Sequence, residues 1–225
     1  MRRTLAIFVV ALVVGVMMMT DCTTAAQETA AEDVIDLPEA DTDGQMSVEE
    51  AISRRRSVRS FSAKELSIQQ IGQLAWAAQG ITEPSQGLRA APSAGATYPL
   101  EVYLVTTDGL YQYRPEGHSL LQIGTDDLRQ PLAAAALGQE WVSEANVNIV
   151  IAGVYERTAG RYGDRARRYV HMEAGHAAEN ILLQAVALGL GAVPVGAFDD
   201  DGVAEVLDLA ADEAPLYIIP VGYPE

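Results

Sequence analysis

Arg54, Arg55, Arg56 and Arg59 put four guanidinium groups within six residues of a chain that carries 15 Lys+Arg against 31 Asp+Glu. Like charges this close repel one another, so the cluster suits an anionic partner such as a phosphate. The other reading is a solvated helix end whose arginines pair with Glu49 and Glu50. A second segment, Ala91 to Pro99 (APSAGATYP), is made of small residues that let backbone approach a flat ligand, and Ser93 adds a hydroxyl. A third, Gly189 to Phe198 (GLGAVPVGAF), could present unpaired backbone N–H groups. It is not a dinucleotide fingerprint, because Pro194 stands where the third glycine of GxGxxG belongs.

His171, Glu173 and His176 have the residue types of a metal site. The two histidines are five apart, about 140° around a helix, so they do not share a face as an HExxH pair does. A single Glu-x-x-His copy makes no di-metal site, and no metal is expected. A Ser93–His176–Asp triad lacks a GxSxG elbow. Arg161 to Tyr169 (RYGDRARRY) is a second basic patch, open to two readings: a salt-bridged helix start, or a mouth for an anionic substrate.

These residues need elements to hold them. Ser47-Val48-Glu49-Glu50 has capping-box form and starts a helix that runs into the arginine cluster. Ser67-Ile68-Gln69-Gln70 repeats the signal, with a helical period through Ile71, Leu74 and Ala78 and Gly80 as the stop. A strand is expected over 100–105. A hairpin over 110–113 and 119–123 turns at Pro115-Glu116-Gly117, and a helix follows over 126–137. The apolar run 147–154 suits a buried central strand. The longest helix covers 164–188, with Val170, Ala174, Ala177, Ala178, Ile181, Leu182 and Ala185 in its apolar stripe. A short helix over 201–209 and a strand over 216–221 complete the chain. Strands and helices interleave, which gives an α+β domain around one central sheet.

Of the 225 residues, 49% are hydrophobic, enough for a packed core. Arg2 and Arg3 precede an apolar run over 5–19, too short for a membrane span and suited to an export signal over 1–22. Cys22, the only cysteine, rules out an intrachain disulfide. It stands where a lipoprotein carries its lipid; cleavage near Ala26 is the alternative, and a retained N-terminal anchor a third. Residues 23–46 read as an acidic tether or an arm that packs on a partner. The folded domain is expected over 47–225. A formal charge of −16 argues against nucleic acid and anionic lipid as partners.

The order of four segments resembles the FMN-dependent nitroreductase family, nearest to its SagB-type dehydrogenase branch: RRSVRSF, APSAGATYPLEVYLV, RYVHMEAGHAAENILLQAVALGLGAVPVGAF and PLYIIPVGYP. The likeness runs over roughly 47–224. It implies a three-layer α+β fold, with a mainly antiparallel sheet flanked by helices and FMN at the interface of a homodimer. It implies that Arg55, Arg56 and Ser57 hold the phosphate and ribityl end, and that Arg59 lies near the pyrimidine edge. There a cation would stabilise the reduced ring. It places Pro92, Ser93 and Gly95 beside the ring. It gives Pro194, Val195 and Gly196 the loop that donates a backbone N–H to N5.

Two departures stand out. Ala96 replaces an Asn that many members carry, and no basic residue follows Arg168 to complete a phosphate site. The implied reaction is ping-pong hydride transfer through N5 between a small-molecule donor and acceptor, with no acid or base side chain evident. The export signal argues that the donor is a small organic substrate or membrane carrier rather than NAD(P)H. The alternative from another class is a non-catalytic exported lipoprotein that binds a flavin or other small ligand.

Overall fold

The computed structural model describes residues 33–225. The export signal over 1–22, Cys22 and the first part of the acidic segment therefore lie outside the described residues. In chain order the strands are β1 (Val34–Asp36), β2 (Ile81–Glu83), β3 (Leu88–Arg89), β4 (Leu100–Thr106), β5 (Gly109–Arg114), β6 (Ser119–Gly124), β7 (Val147–Val154), β8 (Gly191–Ala192) and β9 (Glu213–Gly222). The helices are α1 (Val48–Arg54), α2 (Ile68–Gln79), α3 (Arg129–Ala135), α4 (Glu140–Glu144), α5 (Tyr155–Tyr162), α6 (Ala166–Ala187) and α7 (Asp200–Val206).

Seven strands form one sheet in the order β1-β6-β5-β4-β7-β9-β8, and every named pair in it is antiparallel. Side chains alternate across a strand, and here both faces are covered. Val102, Leu104, Ile149, Ile151 and Ile219 pack on one side with Leu74, Ala78, Val170, Ala177 and Ile181 of α2 and α6. Tyr103, Val105, Val150, Ala152 and Ile218 pack on the other with Leu132, Val142 and Val203 of α3, α4 and α7 and with Leu207 just past α7. This is the expected three-layer α+β arrangement. Strand β7 lies inside the sheet between β4 and β9 and buries all eight residues, which is why it reads as a nearly continuous apolar run, broken only by Asn148, rather than an alternating one. Burying Ile149 or Ile151 contributes on the order of 2 kcal/mol each.

Helix α2 starts as its sequence requires. Ser67 Oγ accepts from the Gln70 N–H, and the Gln70 side chain accepts from the Ser67 N–H. Helix α6 runs 22 residues, about 33 Å. Its inner face is apolar except for Glu173.

The domain begins before Ser47. Residues 33–46 fall in the segment read as a tether or a partner-packing arm, yet they pack on their own domain, first on the sheet and then against α2. Val34, Ile35 and Asp36 pair with Leu121, Leu120 and Ser119. Leu37 is buried, its N–H donating to the His118 carbonyl at 3.1 Å. Asp41 exchanges two hydrogen bonds with the Gln73 side chain, at 2.8 and 2.9 Å. The attachment is mostly main-chain, so an exposed, polar composition does not betray it. Among the described residues no helix is long and apolar enough to cross a membrane.

Candidate functional site

Helix α1 delivers the arginine segment. Ser47 caps its first turn by accepting from the Glu50 N–H at 3.1 Å, and the helix ends when the Arg55 N–H reaches the Ala51 carbonyl at 2.9 Å. The chain then turns extended. Ser57 forms a parallel bridge to Ala192, and the Val58 N–H donates to the Ala192 carbonyl at 3.0 Å. Residues 57–58 thus run beside β8 at the sheet edge. Gly191 permits this approach, because a Cβ there would fall 2.6 Å from Val58 Cγ1.

The four arginines are not equivalent. Arg54 pairs with Glu50 at 2.7 Å, both exposed, a contact of little energy. Here the solvated reading holds. Arg55 Nε lies 3.9 Å from Glu179 Oε1, a long pairing. Arg56 folds back, its Nη1 donating to the carbonyls of Ser53 and Arg55 at 2.9 and 2.6 Å. The Arg59 guanidinium sits 5.4 Å from the centre of the Trp141 ring, in cation–π range. Neither Arg56 nor Arg59 has a carboxylate partner among the described residues, so two full positive charges stay available on an acidic protein. At the chain end, Glu225 accepts a 2.6 Å hydrogen bond from Ser60 Oγ.

The Pro194–Gly196 turn continues from the same edge. Val195 bridges Ile218 in both directions, donating at 2.8 Å and accepting at 3.0 Å. Pro194 has no N–H, and the Val195 N–H is occupied. The next amide, Gly196, is exposed and has no acceptor among the described residues. It is the free donor of the turn. The short β8, paired with β9 through Ala192 and Val221, holds this turn and residues 57–58 on one rim.

The loop with Pro92, Ser93 and Gly95 is pinned elsewhere. Ser93 Oγ accepts from the Tyr98 N–H at 2.9 Å, and the Ala96 N–H donates to the Ser93 carbonyl at 3.1 Å. Gly95 has a left-handed φ of 64°, which suits glycine, and Ala96 and Tyr98 also hold positive φ, at 53° and 43°. Arg161 Nη1 donates to the Gly95 carbonyl and Arg157 Nη1 to the Tyr98 carbonyl, each at 3.2 Å. Behind the loop lies Glu173, 2% exposed, with Oε1 unpartnered. Burial pushes its carboxyl up to about 7, while the Ser93 hydroxyl and the Arg89 charge pull it back down.

Within one chain the two halves of the expected site do not meet. The arginine segment approaches α6 at Glu179, and the small-residue loop approaches it at Glu173. Six residues of helix separate these positions by about 9 Å and about 120° of face. No hydrogen bond or ion pair among the described residues joins residues 55–59 to residues 92–95.

Sequence reasoning weighed Glu173 only as a metal ligand. Its telling signal is that it is the one charged residue on the buried stripe of α6. Both flanking histidines are exposed, and His171 Nε2 is engaged 2.7 Å from the Tyr155 hydroxyl. The roles of Arg157, Arg161 and Tyr162 around Gly95 also went unread. Their helix, α5, is polar, and its inward side is set by distant segments, the loop it grips and helix α6.

The fold and its rim define an α+β protein with a cationic, amide-bearing sheet edge suited to an anionic ligand. The model of the Nitroreductase family matches residues 52–223, and the chain belongs to that family. It is a nitroreductase-family oxidoreductase. A Methanocaldococcus jannaschii protein named as a nitroreductase is 42% identical over 194 residues, covering 84% of this chain and 95% of its own. A crystal structure of a nitroreductase from Ralstonia eutropha JMP134 superposes with a TM-score of 0.79 at 32% identity. It covers 86% of this chain and 90% of its own. The microcin B17-processing protein McbC of Escherichia coli is a more distant relative, 26% identical over 156 residues, 64% of this chain and 57% of McbC. McbC belongs to the SagB-type dehydrogenase branch. The family typically binds flavin.

Proposed function

We propose that this protein is an FMN-dependent oxidoreductase that works as a homodimer, moving electrons between a small organic donor and acceptor. The Val58–Ala192 hydrogen bond carries the reading. It sets Arg56, Ser57 and Arg59 on the same rim as the free amide of Gly196. A cofactor with a phosphate at one end and a hydride-accepting ring nitrogen at the other needs both.

The residues fit the group. Arg55, Arg56 and Ser57 would hold its phosphate and ribityl end. Arg59, stacked on Trp141, would hold positive charge against the pyrimidine edge. The Gly196 N–H would donate to the ring. When bound, FMN supplies hydride transfer at N5, which lets donor and acceptor react in turn. The chain's own residues position and polarise; the backbone amide costs no reorganisation, being already free of an internal partner.

The small-residue loop supports a dimer. Pro92, Ser93 and Gly95 suit contact with a flat ring, yet no hydrogen bond or ion pair among the described residues ties them to their own chain's arginine segment at 55–59. A second copy would bring its loop to this rim. Val48 and Ile52 of α1 are 64% and 58% exposed, and a groove of about 840 Å³ is lined by Met46, Val48, Ala51, Trp76 and Asn180 among others. A second copy would cover both.

Flavin content after gentle purification tests this reading. A yellow protein that releases FMN on denaturation, and whose bound flavin is reduced by dithionite and reoxidised by a quinone, is expected. A colourless protein that gains no flavin absorbance when FMN is added would overturn it. We also propose that the protein is exported; the mass of the mature N-terminus distinguishes a lipid anchor at Cys22 from cleavage near Ala26 and from a retained N-terminus.

A further inference from the structure

Behind the small-residue loop lies a separate polar cavity of about 230 Å³, lined among others by Gln79, Arg89, Glu101, Arg114, Glu116 and Arg157. Three arginines against two glutamates leave a positive balance on a chain whose formal charge is −16. Gln79 is 0% exposed, and its Nε2 has no partner. Turning the amide over does not repair this. Its other atom, Oε1, accepts from Arg89 Nη1 at 3.3 Å, and a guanidinium offers only donors. A buried donor without an acceptor costs on the order of 1–3 kcal/mol. The defect therefore points to an acceptor that arrives from outside the chain.

The charges around it are unequally committed. Glu101 is largely buried and takes hydrogen bonds from both Arg157 and Gln112. Glu116 is different: its side chain is 71% exposed, while the Arg89 side chain it meets at 3.0 Å is 13% exposed. An exposed carboxylate is a weakly held partner, so an incoming oxyanion could replace it on Arg89 at small cost. Arg114 is exposed and has no ion pair among the described residues.

We propose that this cavity binds a small oxyanion, with Gln79 Nε2 and the Arg89 guanidinium as its donors and Glu116 as the group it displaces. A carboxylate fits the planar fork of Arg89, and a phosphate offers the same acceptor chemistry. Arg89 also stacks 4.6 Å from the Tyr98 ring, and Arg157 holds the Tyr98 carbonyl. Occupancy is therefore felt at the end of the small-residue loop. The proposal does not depend on flavin.

Calorimetric titration of the full chain with sodium acetate and with sodium phosphate, against sodium chloride at equal ionic strength, tests it. An Arg55→Ala/Arg56→Ala/Arg59→Ala background removes the arginines assigned to the other anion site. Saturable heat is expected with an oxyanion and not with chloride. Glu116→Gln should tighten binding several-fold, and Gln79→Leu or Arg89→Met should weaken it at least tenfold. Tighter acetate binding identifies a carboxylate ligand, tighter phosphate binding a phosphate; both support the site. Absence of saturable heat in the background and in its Glu116→Gln form overturns it, as does unchanged affinity in Arg89→Met.

Discussion

The Val58 N–H and the Ala192 carbonyl meet at 3.0 Å, and this one main-chain contact ties the arginine segment to the Pro194–Gly196 turn. Neither residue has a reactive side chain. Their bond decides that two positive charges and a free amide share a rim.

The arginines should differ in their effect on FMN. Arg59→Ala and Arg56→Ala remove charges with no carboxylate partner, and each should weaken FMN binding about tenfold or more, the scale of a lost hydrogen bond to a charged group. Arg54→Ala, whose partner is Glu50, should change it little. Equilibrium dialysis reads the difference; equal losses at all three positions would return the cluster to a general solvated face.

At Gly196 the amide, not the side chain, is at stake. A Cβ there would meet only Tyr217 Cε1, at 3.9 Å, so Gly196→Ala should bind and reduce flavin normally. Gly196→Pro deletes the N–H and should make the bound flavin harder to reduce. A spectroelectrochemical midpoint potential that is the same in both variants would rule out this amide as the ring's donor.

Glu173 predicts a pH dependence of stability. Its carboxyl ionises near 4.5 when unfolded and is raised to about 7 in the fold, chiefly by burial. Between these values the folded protein holds a proton the unfolded chain has lost. Stability should therefore fall as pH rises from about 4.5 to about 7 and level off above, by at most on the order of 3 kcal/mol. Glu173→Gln should flatten this slope in urea unfolding at pH 5 to 8. A variant with the wild-type slope would show that another group carries the proton.

Gly95 holds a left-handed φ of 64°, and an added Cβ would lie 2.8 Å from both Arg161 Nη1 and Tyr162 Oη. Gly95→Ala should cost about 1 kcal/mol of stability and disturb the loop while leaving α5 and the sheet folded. Mixed with Arg59→Ala, it should allow complementation in a dimer, since one of two shared sites would be intact. Flavin binding regained on mixing is the expected result; additive loss would show that each site is built from one chain.

Much of the scaffold was legible in local signals. The Ser67 capping box, the Pro115-Glu116-Gly117 turn and the mostly apolar run of β7 each record a constraint that acts within a few residues. Strand β1 was not legible, because Val34, Ile35 and Asp36 are all exposed and join the sheet by backbone pairing alone. Helix α5 was hidden for a related reason. It is polar, and it is held inward by the Thr97–Thr158 contact at 2.8 Å, the Arg161 grip on Gly95 and its packing on α6.

The amino-acid sequence by itself determined which residues could do the chemistry: uncancelled arginines, a small-residue loop, a glycine after Pro194-Val195, and their order along the chain. Those are properties of residue type and near-neighbour spacing. Only the tertiary structure decided which of them stand together. It joined Ser57 to Ala192, left the Gly196 amide free by occupying that of Val195, and set Ser93 on a different face of α6 from Arg55. Pairing between distant backbone segments leaves no mark on side-chain composition; it follows from a sheet packed on both faces, which fixes every register at once.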